Sequence, residues 1–235
     1  VYFTNIYDRA CRRRTEYLYI LQVRRLTPDE PRWQVMRYTQ FGVYWYLEHM
    51  DALPIFVRQV RNRSAENERV MKVLAHIGAA GQMMAVLRQE LDSTVRVIYL
   101  LAQSEPRRTK LIEASVSGVR WKKENSNSPV TDKEMVDLGN TLQGWCKSVY
   151  KFGCAFIHLS NMHDYNDRDP LALISAEDRE EILGHCRAYH GGPNCTSPTF
   201  SDLLPYLPKT FYKVSANLDC YLQSLEQGDT LDHVL

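Results

Sequence analysis

Residues 84–101, MAVLRQELDSTVRVIYLL, decide the fold class of this 235-residue chain. Met84, Leu87, Leu91, Val95, Ile98 and Leu101 recur at three- and four-residue steps, nearly a heptad, which marks one face of an α-helix. The segment is expected to form part of the core of a helical bundle. On its polar face Arg88, Asp92 and Arg96 lie four residues apart, the spacing at which successive turns exchange ion pairs.

The neighbouring segments read the same way. A long helical stretch precedes it, from a break at Leu53-Pro54 to about His76, with Gly78 and Gly81 allowing the turn between the two. Ser104-Glu105-Pro106 opens a further helix with proline in its first turn, extending to about Glu124. The run NSNSP at 125–129 is loop-like. Thr131-x-x-Glu134 has the form of a capping box, and Ser175-x-x-Asp178 starts another helix that ends near His190-Gly191-Gly192-Pro193. Past Pro208, Phe211, Val214, Leu218, Tyr221, Leu222 and Leu225 fall on one face of a final helix. Upstream, Asn5 to Leu26 and Trp33 to His49 read as two more helices, separated by the proline-rich turn at 27–31. The expected fold is all-α: a helical bundle over 55–235 with an N-terminal helical extension over 1–54, or the two as one continuous domain.

Composition narrows the function classes. The chain is 44% hydrophobic and 24% charged, and no apolar run is long enough to suggest a transmembrane span. The first residues, VYFTNIYDRACRRRTE, lack the basic-apolar-small pattern of a secretory signal. Six scattered cysteines without a CxxC pair argue against a zinc ribbon or a disulfide framework, and read as free thiols of a cytoplasmic protein. A Gly-rich phosphate loop, a GxSxG elbow and a dinucleotide fingerprint are all missing from the sequence, so no cofactor is expected. Net charge is +1 but unevenly spread: six arginines lie in residues 1–26, six basic residues in 107–123, and acidic residues outnumber basic ones from His163 onward. That polarity suits an anionic partner or attraction between subunits, although solvated helix faces explain it more simply.

The segment WCKSVYKFGCAFIHLSNMHDY, residues 145–165, carries the candidate chemistry. Leu138, Leu142, Trp145, Val149, Phe152, Phe156 and Leu159 follow helical spacing and are expected to bury one stripe. Roughly opposite lie Lys147, Lys151, Cys154, His158 and Asn161. A histidine that exchanges protons near neutral pH, beside a lysine that holds a phosphate, supports attack of a ribose 2′-hydroxyl on the adjacent phosphate without a metal. The plainer reading is a histidine hydrogen-bonded to a neighbouring loop and two solvated lysines. His163, Asp164, Asp167 and Asp169 offer oxygen ligands for a cation, yet they are also what an ordinary turn needs, and the turn is preferred. His158/His163 and His185/His190 are spaced by five, about 140° apart on a helix and poorly placed for shared ligation, so no metal site is expected.

The segment Lys151-FGCAFI-His158 resembles the Arg-x4–6-His signature of HEPN domains. Leu87-Arg88-Gln89-Glu90-Leu91 followed by Tyr99-Leu100-Leu101 resembles an earlier helix of some bacterial members. The similarity extends over residues 80–225 in its pattern of helices. Active members usually carry arginine where Lys151 stands and a polar residue where Phe152 stands, and Arg69–His76 and Arg179–His185 meet similar spacings. The resemblance implies a homodimer acting on RNA, as a metal-independent endoribonuclease of a toxin or defence type. His158 is then the general acid/base and Lys151 the phosphate-binding cation, with Asn161 and His163 assisting. Lys147 and Arg88 are the candidate substrate-binding residues. The alternative is a non-catalytic helical module for protein interaction or regulation, engaging a protein partner.

Overall fold

The computed structural model describes residues 51–231. The two expected upstream helices, the six arginines of residues 1–26 and nearly all of the 1–54 extension lie outside the described residues. Those described are helical apart from turns and one isolated bridge between Lys122 and Pro129. The elements in order are α1 (Ala52–Ile77), α2 (Ala80–Leu101), α3 (Glu105–Val116), α4 (Asp132–Gln143), α5 (Cys146–Ile157), α6 (Ala176–His190), the single-turn α7 (Phe200–Leu203) and α8 (Leu207–Gln227). Short 3-10 turns at Asn161–His163, Pro170–Ala172 and Leu204–Tyr206 join the later helices. No described helix is long and apolar enough to cross a membrane.

The 84–101 segment forms α2, and it is central. It packs against α1, α4, α5 and most extensively α8. All six of its periodic apolar residues are buried, and Leu91, Val95 and Ile98 are fully enclosed. Removing such a side chain from water contributes about 1.5–3 kcal/mol. Because α2 is surrounded, its polar residues are buried too. Glu90 accepts hydrogen bonds from Asn67 Nδ2 (3.0 Å) and from the Ser64 hydroxyl, which tie α1 to α2. Ser64 also hydrogen-bonds Ser215 of α8 at 3.1 Å.

Helix starts follow the sequence signals. Pro54 sits in the first turn of α1, Pro106 in that of α3, and Pro208 in that of α8. Thr131 and Glu134 form the reciprocal capping box on α4, and Ser175 Oγ accepts from the Asp178 amide at the start of α6. Gly191, in the left-handed region at φ +80°, closes α6. In α8 all six expected face residues are buried.

Three features depart from the sequence reading. First, α3 ends at Val116 instead of near Glu124: Gly118 turns left-handed (φ +70°), and Trp121 folds back, donating from Nε1 to Ser115 Oγ at 2.8 Å. Second, the helix begun at Thr131 does not run on through residue 145. Gly144 adopts φ +66° and divides it into α4 and α5. Third, α5 stops at Ile157. The Ser160 hydroxyl donates to the Ala155 carbonyl at 2.6 Å, satisfying a terminal acceptor, and His158 is extended (φ −100°, ψ 145°). The expected buried stripe therefore ends at Phe156, and Leu159 is 96% exposed.

Three of the six basic residues in 107–123 have structural partners. Arg108 is buried and donates from Nε to the Leu100 carbonyl (3.1 Å) and from Nη2 to the carbonyls of Leu101 and Gln103 (both 3.4 Å), so it caps the C-terminus of α2. Arg107 reaches the Lys122 carbonyl, and Lys123 pairs with Glu134 at 2.5 Å.

Candidate functional site

The approach of α5 to α2 begins at a residue without a side chain. A Cβ on Gly153 would lie 2.9 Å from Arg88 Cβ, so only glycine lets the two helices sit this close. The contact delivers Arg88, 6% exposed, into a pocket formed by α2, α4 and α5. Its guanidinium lies flat over the Tyr150 ring, 3.3 Å from the centroid. Nε donates to Cys154 Sγ at 3.3 Å, while the terminal nitrogens face Asp92 (3.9 Å) and Asp132 (3.8 Å).

The same two carboxylates bind further arginines. Arg96 meets Asp92 at 3.2 Å and Asp132 at 3.3 Å, and Arg63 of α1 meets Asp92 at 3.3 Å and Ser93 Oγ at 3.2 Å. The Tyr150 hydroxyl donates to Asp132 at 2.8 Å. Burial and that bond to Asp132 raise the Tyr150 pKa, so the phenol stays protonated. The expected i,i+4 pairing of Arg88, Asp92 and Arg96 is present, but it belongs to an internal seam joining α1, α2, α4 and α5. Arg88, expected to bind substrate from a polar face, is enclosed in that seam. Gly153 and the Tyr150 ring explain the difference.

The other candidate residues separate where α5 ends. Lys147 and Lys151 stay on α5 and are exposed. Lys147 gives its amide to Asn140 Oδ1 (3.1 Å), which joins α4 to α5 across the Gly144 break. Lys151 Nζ pairs with Asp178 Oδ2 of α6 at 2.6 Å. Asp178 also accepts from the Ser175 hydroxyl at 2.7 Å, and the Lys151 ammonium followed by that hydroxyl holds its carboxyl below the usual carboxylate range. His158 is exposed, and its imidazole engages no described residue. Because its backbone is extended, it does not continue the helical register of Lys151, contrary to the sequence expectation. Asn161 and His163 lie on the following 3-10 turn. The Ser160 amide approaches His163 Nδ1 at 3.3 Å, and the ring packs 5.9 Å from Phe156. Asn161 is exposed.

The acidic loop beyond is held by ordinary turn bonds. Asp169 Oδ1 accepts from the Leu171 amide (3.2 Å) and the Phe200 amide (2.8 Å), and Asp164 pairs with Arg168 at 3.4 Å. Phe200 then stacks on Phe156 and meets Phe152 edge-on, fixing the loop and α7 against α5. Among the described residues no three metal-capable side chains converge.

A separate feature had no signal in the sequence. Between α2, α5, α6 and α8 lies a cavity of about 210 Å³. Met84, Leu87, Phe152 and Val214 supply apolar walls, and His185, His190 and Lys213 stand among the polar lining. The Cys186 thiol, also lining it, is pushed up to about 11 by burial. The cavity exists because α6 packs only lightly on α5 and α8. Lys151 and His158 are not part of its lining.

Comparison with protein-family models, with curated proteins and with solved structures finds no match to the chain. The HEPN-like resemblance accordingly rests on residues 151–158 and the helix pattern. Asp132 and Tyr150, the partners that enclose Arg88, carried no motif. Asp178 was visible as a helix cap, but nothing local in the sequence pairs it with Lys151.

Proposed function

We propose that the bundle is a non-catalytic helical module for regulation or protein interaction. One observation carries this reading: of the three cations expected to hold a phosphate, Arg88 and Lys151 are already engaged by carboxylates, and only Lys147 has no such partner among the described residues. Arg88 is enclosed between Tyr150, Asp92 and Asp132, and Lys151 faces Asp178 at 2.6 Å. A phosphate at Lys151 would have to displace or face that carboxylate, and like charges at that separation repel. Partnership with a protein, a homodimeric state and a cytoplasmic location all belong to this proposal.

RNA cleavage is the second reading, favoured by the exposed and unengaged His158 beyond α5, which carries Lys147. It leaves one histidine and one lysine, unpaired among the described residues, without the arginine fork that grips a phosphate bidentately. Incubating the full chain with a mixed RNA pool in EDTA separates the two. The module reading expects the parent and His158→Ala to leave the pool equally intact. Cleavage by the parent that is lost in His158→Ala would establish the ribonuclease instead.

A further inference from the structure

We infer that the cavity between α2, α5, α6 and α8 is a binding site for a small amphipathic monocarboxylate, with a linear or single-ring apolar body and one anionic head. The volume of about 210 Å³ lies somewhat below the roughly 300–1,000 Å³ of drug-sized pockets, which fits a ligand of metabolite size. Met84 and Leu87 of α2, Phe152 of α5 and Val214 of α8 present hydrocarbon to it and no competing polar group. These walls take the apolar body.

The head is assigned by charge. Among the described residues no aspartate or glutamate lines the cavity. Lys213 lines it, is exposed, and forms no ion pair among the described residues. Lys209, one turn earlier on α8, lies over the Tyr206 ring, 5.0 Å from its centroid, and adds positive charge at the same end. His190 feels that field. Its pKa is lowered first by burial and then by Lys209 and Lys213. His185 Nε2 is buried without a hydrogen-bond partner, with Glu181 of the same helix 3.7 Å away. A buried ring nitrogen in that state gains from a ligand or water that supplies the missing bond.

A monoanion fits better than a phosphate. Among the described residues no arginine lines the cavity to offer a phosphate its planar fork, whereas one lysine can balance one carboxylate. The proposal assigns the cavity a binding role, and burial holds the Cys186 thiol above its ordinary range. It adds a ligand to the module reading without depending on it, since the cavity shares none of its named residues with the α5 polar stripe.

Isothermal titration of the full chain with decanoate, and with decanol as the neutral counterpart, tests the inference. Decanoate should bind once per chain. Lys213→Gln should weaken it about fivefold while leaving decanol unchanged, as expected for a solvent-exposed charge contact. Val149→Trp, which fills the space from α5, should abolish binding of both while helical circular dichroism is retained. Failure of decanoate to bind the parent overturns the site. Equal affinity of parent and Lys213→Gln overturns the anionic head, and binding unaffected by Val149→Trp places the ligand elsewhere. None of these outcomes bears on RNA cleavage, which is read independently.

Discussion

Gly153 sets how closely α5 approaches α2, and the fate of Arg88 follows from it. Helical spacing in the sequence placed Arg88 correctly beside Asp92 and Arg96. Spacing gives an angle around one helix, however, and not what packs against that angle. A glycine on α5 and a tyrosine three residues before it turned a surface arginine into an enclosed one. Gly153→Ala should therefore destabilise the bundle by roughly 1–3 kcal/mol, since the new Cβ meets backbone-proximal Arg88 Cβ at 2.9 Å and cannot be accommodated by moving a side-chain tip. Urea unfolding measures it. Arg108 makes the parallel case at the other end of α2. Arg108→Met keeps the apolar stem but removes the guanidinium bonds to the Leu100, Leu101 and Gln103 carbonyls, leaving Leu100 only the Gln103 amide, at a cost of roughly 1.5–3 kcal/mol in the same assay.

Helix starts were legible and several helix ends were not. N-terminal caps are local, so the Thr131/Glu134 box and the Ser175 cap on Asp178 could be read within four residues of sequence. The end of α3, the division at Gly144 and the end of α5 depend on distant or subtle partners: a returning Trp121, a left-handed glycine inside an unbroken apolar rhythm, and Ser160 reaching back to Ala155. The α4 cap also predicts a pH dependence. Glu134 is lowered from its ordinary 4.5 to about 2, chiefly by Lys123, then by the Thr131 amide and hydroxyl. A depressed carboxyl contributes stability above its unfolded pKa and loses it as pH falls through the folded value. The contribution of Glu134 should be complete above about pH 4.5 and fade toward pH 2. Thermal unfolding of the parent and Glu134→Gln from pH 6 to about pH 2 should show the parent's advantage shrinking over that interval. An advantage independent of pH would contradict the assignment.

At the scale of the molecule, the all-α bundle was readable because α2, α5 and α8 carry apolar faces in register. The candidate site was readable in composition but not in arrangement. Lys147, Lys151 and His158 are exposed, as a reactive stripe would be. Yet Asp178 arrives from α6, and the helix ends before His158, so the stripe is divided between an ion pair, a seam and an exposed histidine. The cavity left no trace in the sequence because its walls come from four separate helices. Arg88 of α2 belongs to the architecture, whereas His158 does not. Comparing the urea unfolding free energies of Arg88→Lys and His158→Ala with the parent tests this most directly. Lysine keeps the charge but loses the flat stack on Tyr150 and the reach to two carboxylates. The account predicts a loss of about 1–3 kcal/mol for Arg88→Lys and a change within about 0.5 kcal/mol for His158→Ala. An Arg88→Lys protein as stable as the parent would contradict it.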